Sequence, residues 1–182
     1  MNVALIHEHL AQDGGAESVL RVLQTMWPKA PIFTLIHNKK RAHPAFLKAD
    51  IRTSYLQHMP GGVSHYQWYL PWMANAVESY DLGDYDLVIS SASSFAKGVL
   101  TSPRTLHICY LHSPTRYLWN DTHEYVASLP YPQFMKSMIT RYLTNLRQWD
   151  RLAADRPDEI IANSHAVAQR IQKYYPRRVI SP

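Results

Sequence analysis

Two short stretches carry the residue types that could do chemistry. Near the start, His7-Glu8-His9 precedes Gly14-Gly15-Ala16-Glu17; in the second half, His112-Ser113-Pro114-Thr115-Arg116-Tyr117 puts an imidazole close to a guanidinium and a phenol. Glycines between a strand and a helix let the backbone turn tightly and let a ligand approach the main chain, and the free N–H groups of the first helical turn attract an anion. Gly14 and Gly15 are therefore candidates to bind a phosphate or diphosphate, the competing reading being a glycine pair that only makes a turn. Glu17 falls in the first helical turn, where a carboxylate favours the helix dipole. The two histidines of His7-Glu8-His9 stand at i, i+2 with no further ligand in view, so no metal site is assigned.

These residues need elements to hold them. Apolar runs rich in β-branched residues recur at Val3 to Ile6, Ile32 to Ile36, Asp86 to Ser90, Thr105 to Leu111 and Glu159 to Ala162, and they read as central strands. Between them lie helical patterns, the first from Ala16 to Trp27, with Val19, Leu20, Leu23 and Trp27 on one face. Alternation of strand and helix predicts an α/β fold, a parallel sheet with helices on both faces. Ligands bind such sheets outside the carboxyl ends of the strands. That rule gathers four pairs on one rim: His7 and Glu8, Ser90 and Ser91, His112 and Ser113, Asn163 and Ser164. The last pair also reads as the cap of a helix beginning near Ala166.

Two stretches depart from simple alternation. His65 to Met73 is crowded with aromatics and reads as a helix interrupted or begun near Pro71. From Gln133 to Arg151 the residues Phe134, Met138, Ile139, Tyr142, Leu143, Leu146 and Trp149 recur at helical spacing among Lys136, Arg141, Arg147 and Arg151. That is a long basic amphipathic helix, whose apolar stripe faces either the core or an anionic membrane surface. Val179-Ile180 reads as one more strand.

The 182 residues suit one domain with a full core, and a 46% hydrophobic content is that of a globular chain. The single Cys109 rules out an internal disulfide, and its apolar neighbours predict a packed, unreactive thiol. A net charge of +5 suits an anionic partner without choosing one. No apolar run approaches the roughly 20 residues needed to cross a bilayer, and no leader pattern opens the chain, so a cytoplasmic protein is expected.

Several motifs, in order, carry a resemblance. Val3 to Glu8 with Gly14-Gly15-Ala16-Glu17, Tyr85 to Ser91 with Ala96-Lys97-Gly98, His107 to Tyr117, and Ile160 to Ser164 together resemble the N-terminal domain of a GT-B fold glycosyltransferase of family 4. That group includes mannosyltransferases of bacterial surface polysaccharide assembly. The resemblance implies a Rossmann-like domain spanning residues 1–182, the N-terminal, acceptor-side half of a two-domain enzyme, with the C-terminal nucleotide-sugar domain absent from this chain. It implies a retaining transferase acting in polysaccharide or lipid-linked glycan biosynthesis, inactive or very weak without that second domain.

Roles follow from the same resemblance. Gly14 and Gly15 would face the diphosphate of a nucleotide sugar, which is a donor substrate and not a tightly bound cofactor. His112 would be the catalytic residue, hydrogen-bonding the transferred sugar or stabilising charge as the glycosidic bond breaks. His7, Glu8, Arg116 and Tyr117 would bind the acceptor, the guanidinium gripping a pyrophosphate and the ring stacking on a sugar. The partners expected are a nucleotide sugar, a lipid-linked or saccharide acceptor, an anionic membrane on the inner face of the cell membrane, and a second copy through uncovered interdomain surface. Dispersed basic residues without a recognition motif argue against nucleic acid. Half of a GT-B nucleotide-sugar 2-epimerase and a non-catalytic glycan- or partner-binding module remain as alternatives.

Overall fold

Buried on both faces, Val3–His7 forms the central strand β1, and a loop leads from it to helix α1, Gly15–Met26. The computed structural model describes residues 1–181. Next come β2 (Ile32–Thr34), β3 (Ile51–Thr53), α2 (Leu70–Glu78), β4 (Leu87–Ala92) and β5 (Leu106–Leu111). They are followed by α3 (Arg116–Trp119), α4 (Thr122–Ser128), α5 (Gln133–Ala153), β6 (Glu159–Ala162) and α6 (His165–Tyr174). The six strands pair in parallel in the order β3-β2-β1-β4-β5-β6. This is a Rossmann-like α/β fold.

The sheet separates two apolar layers because successive side chains of a strand point to opposite faces. Val3, Leu5, Ile32, Leu87 and Ile89 pack with Leu20 of α1 on one side. Ala4, Ile6, Val88, Cys109 and Ile160 pack on the other with residues of α2, α5 and α6, including Met73, Leu146 and Ile171. Cys109 is wholly buried, and burial pushes its thiol up to about 11, as its apolar neighbours predict. On the α1 side, β5 is only partly covered: Leu106 is exposed, and Ile108 and Tyr110 are half-buried.

Across the second layer runs a buried polar hub. Asp150, in the apolar stripe of α5, accepts from Lys97 Nζ (2.6 Å) and Thr115 Oγ1 (2.6 Å) on one oxygen. Its other oxygen accepts from Trp119 Nε1 (2.7 Å) and Tyr175 OH (2.5 Å). One carboxylate thus ties the loops after β4 and β5 to α5 and to the end of α6.

The structure adds one strand to the sequence reading, changes two of its expectations and resolves a fourth point. Ile51–Thr53 is a strand too short to register as a periodic run, and pairing with β2 makes it one. The expected strand at Val179-Ile180 is an isolated bridge opposite Ile161. Phe134 and Met138 do not join the core stripe of α5; they lie exposed at its first turns, where Lys136 Nζ donates to the Ala127 carbonyl of α4 (2.7 Å). Pro71 does begin a helix: a 3-10 turn at Tyr66–Tyr69 leads into α2, with the proline in the first turn, where no N–H is missed.

Candidate functional site

After β1 the chain builds β2 and β3 on one side, then returns to place β4, β5 and β6 on the other. Adjacent loops at the β1 and β4 carboxyl ends therefore diverge and leave a crevice. His7 and Ser91 are register partners at that point. Beside them lies a cavity of about 450 Å³, lined by His7, Glu8, Tyr66, Ser94, Arg116, Tyr117 and Tyr125 among others.

Four of the expected site residues thus line one cavity, and their bonding differs sharply. Glu8 is nearly buried, its Oε1 accepting the N–H groups of Ser93 (2.9 Å), Ser94 (2.6 Å) and Ala96 (3.2 Å) and its Oε2 that of Phe95 (3.0 Å). Its carboxylate is the clamp of the β4 loop and is already saturated with donors. Arg116 is exposed and pairs with Asp121, its Nε and Nη2 lying 3.0 and 2.9 Å from Oδ2. The Tyr117 hydroxyl bonds Ser94 Oγ (2.9 Å) and its ring packs on Tyr125, 5.3 Å between centroids. Burial pushes the Tyr117 phenol up, so it stays protonated. His9 joins the wall through Tyr66, ring centroids 4.9 Å apart.

The glycine pair works by leaving space. Gly14 is extended (φ −140°, ψ −164°), a conformation open to any residue, and the only positive φ among the described residues belongs to Gly61. A Cβ on Gly15 would meet nothing within 4 Å, so an approaching group has room at the helix start. Glu17 closes half of a capping box, its Oε2 accepting the Gly14 N–H (2.9 Å), while the N–H groups of Gly15 and Ala16 have no bond among the described residues. Burial works to raise the Glu17 carboxyl, but the His7 ring beside it and the backbone N–H groups outweigh it and hold it below the usual range.

His112 stands half-buried at the mouth of β5, next to the cavity and not on its wall. Its Nε2 lies 2.8 Å from Ser91 Oγ, and its ring meets Tyr110 edge-on at 5.3 Å. Burial, with His7 nearby, lowers its pKa and keeps the imidazole neutral near pH 7. Ser90 and Ser91, both wholly buried, separate: Ser90 bonds His107 Nε2 (2.9 Å), and Ser91 alone bonds His7 and His112. The two-residue strand period already puts neighbours on opposite faces, so one of the pair had to turn away. Asn163 accepts from Tyr110 OH (2.9 Å), and Ser164 caps α6 through the Val167 N–H (3.3 Å). Neither lines the cavity.

Tyr66, Tyr125, Lys97 and Asp150 had no role in the sequence, although Lys97 lay in a motif of the resemblance and Tyr66 in the aromatic segment. An aspartate within an apolar helical stripe was the signal available for the hub; the tyrosines gave none before the loops folded together. Among the described residues no group of three or more His, Cys, Asp or Glu is arranged to hold a metal ion, and no helix is long and apolar enough to cross a membrane. The fold and crevice define a Rossmann-like α/β protein with a cavity at its topological switch point. Neither the models of known protein families nor the curated proteins compared with this chain match it.

Proposed function

We propose that this chain is the acceptor-binding half of a retaining, nucleotide-sugar-dependent glycosyltransferase of the GT-B, family 4 kind, working on polysaccharide or lipid-linked glycan. The observation that carries the reading is the cavity at the switch point, whose tyrosines offer faces for a sugar ring and whose rim holds His112 and the open start of α1. In this reading the donor diphosphate meets the N–H groups near Gly14 and Gly15, the transferred sugar meets His112, and the acceptor lies against His7, Tyr66 and Tyr117. Arg116 reaches an acceptor phosphate by exchanging its bond to Asp121. Glu8 acts through the loop it clamps. The two carboxylates on the cavity wall, Glu8 and Glu17, are both held by backbone N–H groups, so the reading assigns neither as a nucleophile and lets the leaving phosphate assist the acceptor.

The nucleotide is held mainly by a second α/β domain in this reading, so residues 1–182 alone are expected to transfer sugar weakly or not at all. Exposed Trp68, Trp72, Phe134 and Met138, with Lys136 and Arg141 nearby in sequence, support peripheral contact with an anionic membrane. The partly covered face of β5 supports self-association, which light scattering would detect.

The deciding assay supplies the two-domain protein with nucleotide sugars, with and without a lipid-linked saccharide acceptor. Acceptor-dependent transfer that falls about 10²–10³-fold in His112→Ala, with the fold intact, is the expected result. Conversion of the nucleotide sugar without acceptor would instead mark an epimerase, and saccharide binding without turnover would mark a binding module.

A further inference from the structure

One connected row of polar side chains crosses the crevice from α1 to β5. Glu17 Oε1 lies 3.7 Å from His7 Nε2, both residues about 1% exposed. His7 Nδ1 lies 3.3 Å from Ser91 Oγ, and Ser91 Oγ lies 2.8 Å from His112 Nε2. The serine hydroxyl has one proton, so it can donate to only one of the two rings and must accept from the other.

The anionic end decides which. Glu17 is an ionised carboxylate with one oxygen bonded to the Gly14 N–H. At 3.7 Å it is beyond good hydrogen-bond length, yet its charge in a buried setting favours Nε2 as the seat of the proton whenever the His7 ring carries one. The lone pair of His7 Nδ1 then accepts the Ser91 hydroxyl, and the Ser91 oxygen accepts His112 Nε2–H. We propose that Glu17, His7 and Ser91 are positioning residues that fix neutral His112 as the Nε2–H tautomer, leaving Nδ1 as a hydrogen-bond acceptor for a hydroxyl of a polyhydroxylated ligand. Nδ1 has no bond among the described residues. The opposite polarity would set the bare Nε2 of His7 against the Glu17 carboxylate, two acceptors facing each other away from water. A second proton on His7 would also reverse the row, so pH must be fixed. The charged or titratable groups around His112 are His7 and Glu8 of the β1 end, Glu17 of α1 and Tyr110 of β5.

The ligand part of this inference rests on the sugar-transfer reading; the tautomer does not. The test is long-range ¹H–¹⁵N correlation of the full chain with ¹⁵N-labelled histidine at pH 7.5, His112 being assigned by its loss in His112→Gln. The expected result is Nε2–H on both His7 and His112, with the His112 Nε2 proton slow to exchange. Ser91→Ala should speed that exchange about tenfold, the worth of one hydrogen bond, and Ser91→Thr should restore it. Glu17→Gln should loosen the preference of both rings. Nδ1–H on either ring, or unchanged His112 exchange in Ser91→Ala, would overturn the proposal. Nε2–H on His112 in a protein that transfers no sugar would instead count against the glycosyltransferase reading alone.

Discussion

Lys97 Nζ and Asp150 Oδ1 lie 2.6 Å apart with both side chains sealed from solvent, and Asp150 also accepts from Thr115, Trp119 and Tyr175. Burial opposes the lysine charge, but the aspartate beside it outweighs that and holds the ammonium on. Removing one partner leaves the other charged and unpaired in the core. Asp150→Ala should lose about 3–5 kcal/mol of stability, read by urea unfolding. Asp150→Asn, which keeps shape without charge, should fall in between. A loss below about 1 kcal/mol for Asp150→Ala would show that the hub is not needed.

His107 of β5 is wholly buried, and burial lowers its pKa to about 4. The unfolded chain takes up that proton near the ordinary value of 6.5, so between 6.5 and 4 it binds more protons than the folded one. Stability should therefore fall as pH drops through this window, by on the order of 3 kcal/mol from this group, and should level off below it. His107→Leu should flatten most of that slope while lowering stability at pH 7.5, because Ser90 loses its partner. The urea midpoint between pH 7.5 and 4 is the measurement, and an unchanged slope in the variant would refute the assignment.

Glu8 should matter to the fold before it matters to any ligand. Glu8→Ala leaves the N–H groups of Ser93 to Ala96 without their acceptor and should cost about 3 kcal/mol in urea unfolding. Glu8→Gln should cost less, since one oxygen remains, though its amide must face a donor. A stable Glu8→Ala protein with weakened acceptor binding would return Glu8 to the direct contact that the sequence suggested.

Gly15→Ala separates stability from binding. The space beside Gly15 is empty and alanine is the better helix former, so the melting temperature should hold or rise. Affinity of the two-domain protein for a nucleoside diphosphate should weaken at least about threefold if the anion uses this helix start. Calorimetry reads it, and unaltered affinity would move the diphosphate elsewhere.

Vesicle flotation tests the exposed aromatic and basic surface. Recovery with anionic vesicles at low salt should exceed that with neutral ones and fall as salt rises, each basic residue near the surface adding roughly 1 kcal/mol. Trp68→Ala with Trp72→Ala should weaken it further. Equal recovery on both vesicle types would overturn the membrane contact.

What the sequence determined by itself was everything set by local periodicity. Runs such as Val3 to Ile6 and Thr105 to Leu111 read as central strands, and the recurrence from Phe134 to Trp149 as an amphipathic helix, its stripe facing core or membrane until the structure set Ile139 to Trp149 against the core and left Phe134 and Met138 exposed. Their alternation left a parallel sheet as the economical solution, and a parallel sheet puts its loops, with His7, Glu8 and His112, at one edge. Tertiary structure alone decided which of those loop residues remain free. Glu8 reads as a ligand until a loop 85 residues further on folds its N–H groups around it. Asp150 is only an aspartate within an apolar helical stripe until Lys97, Thr115, Trp119 and Tyr175 converge on it. Ser91 joins His7 to His112 only through strand register, which sets residues 84 and 21 positions apart within hydrogen-bond reach. Periodicity reports which face a side chain takes; its partners come from chain segments distant in sequence, and a one-dimensional pattern holds no record of that distance.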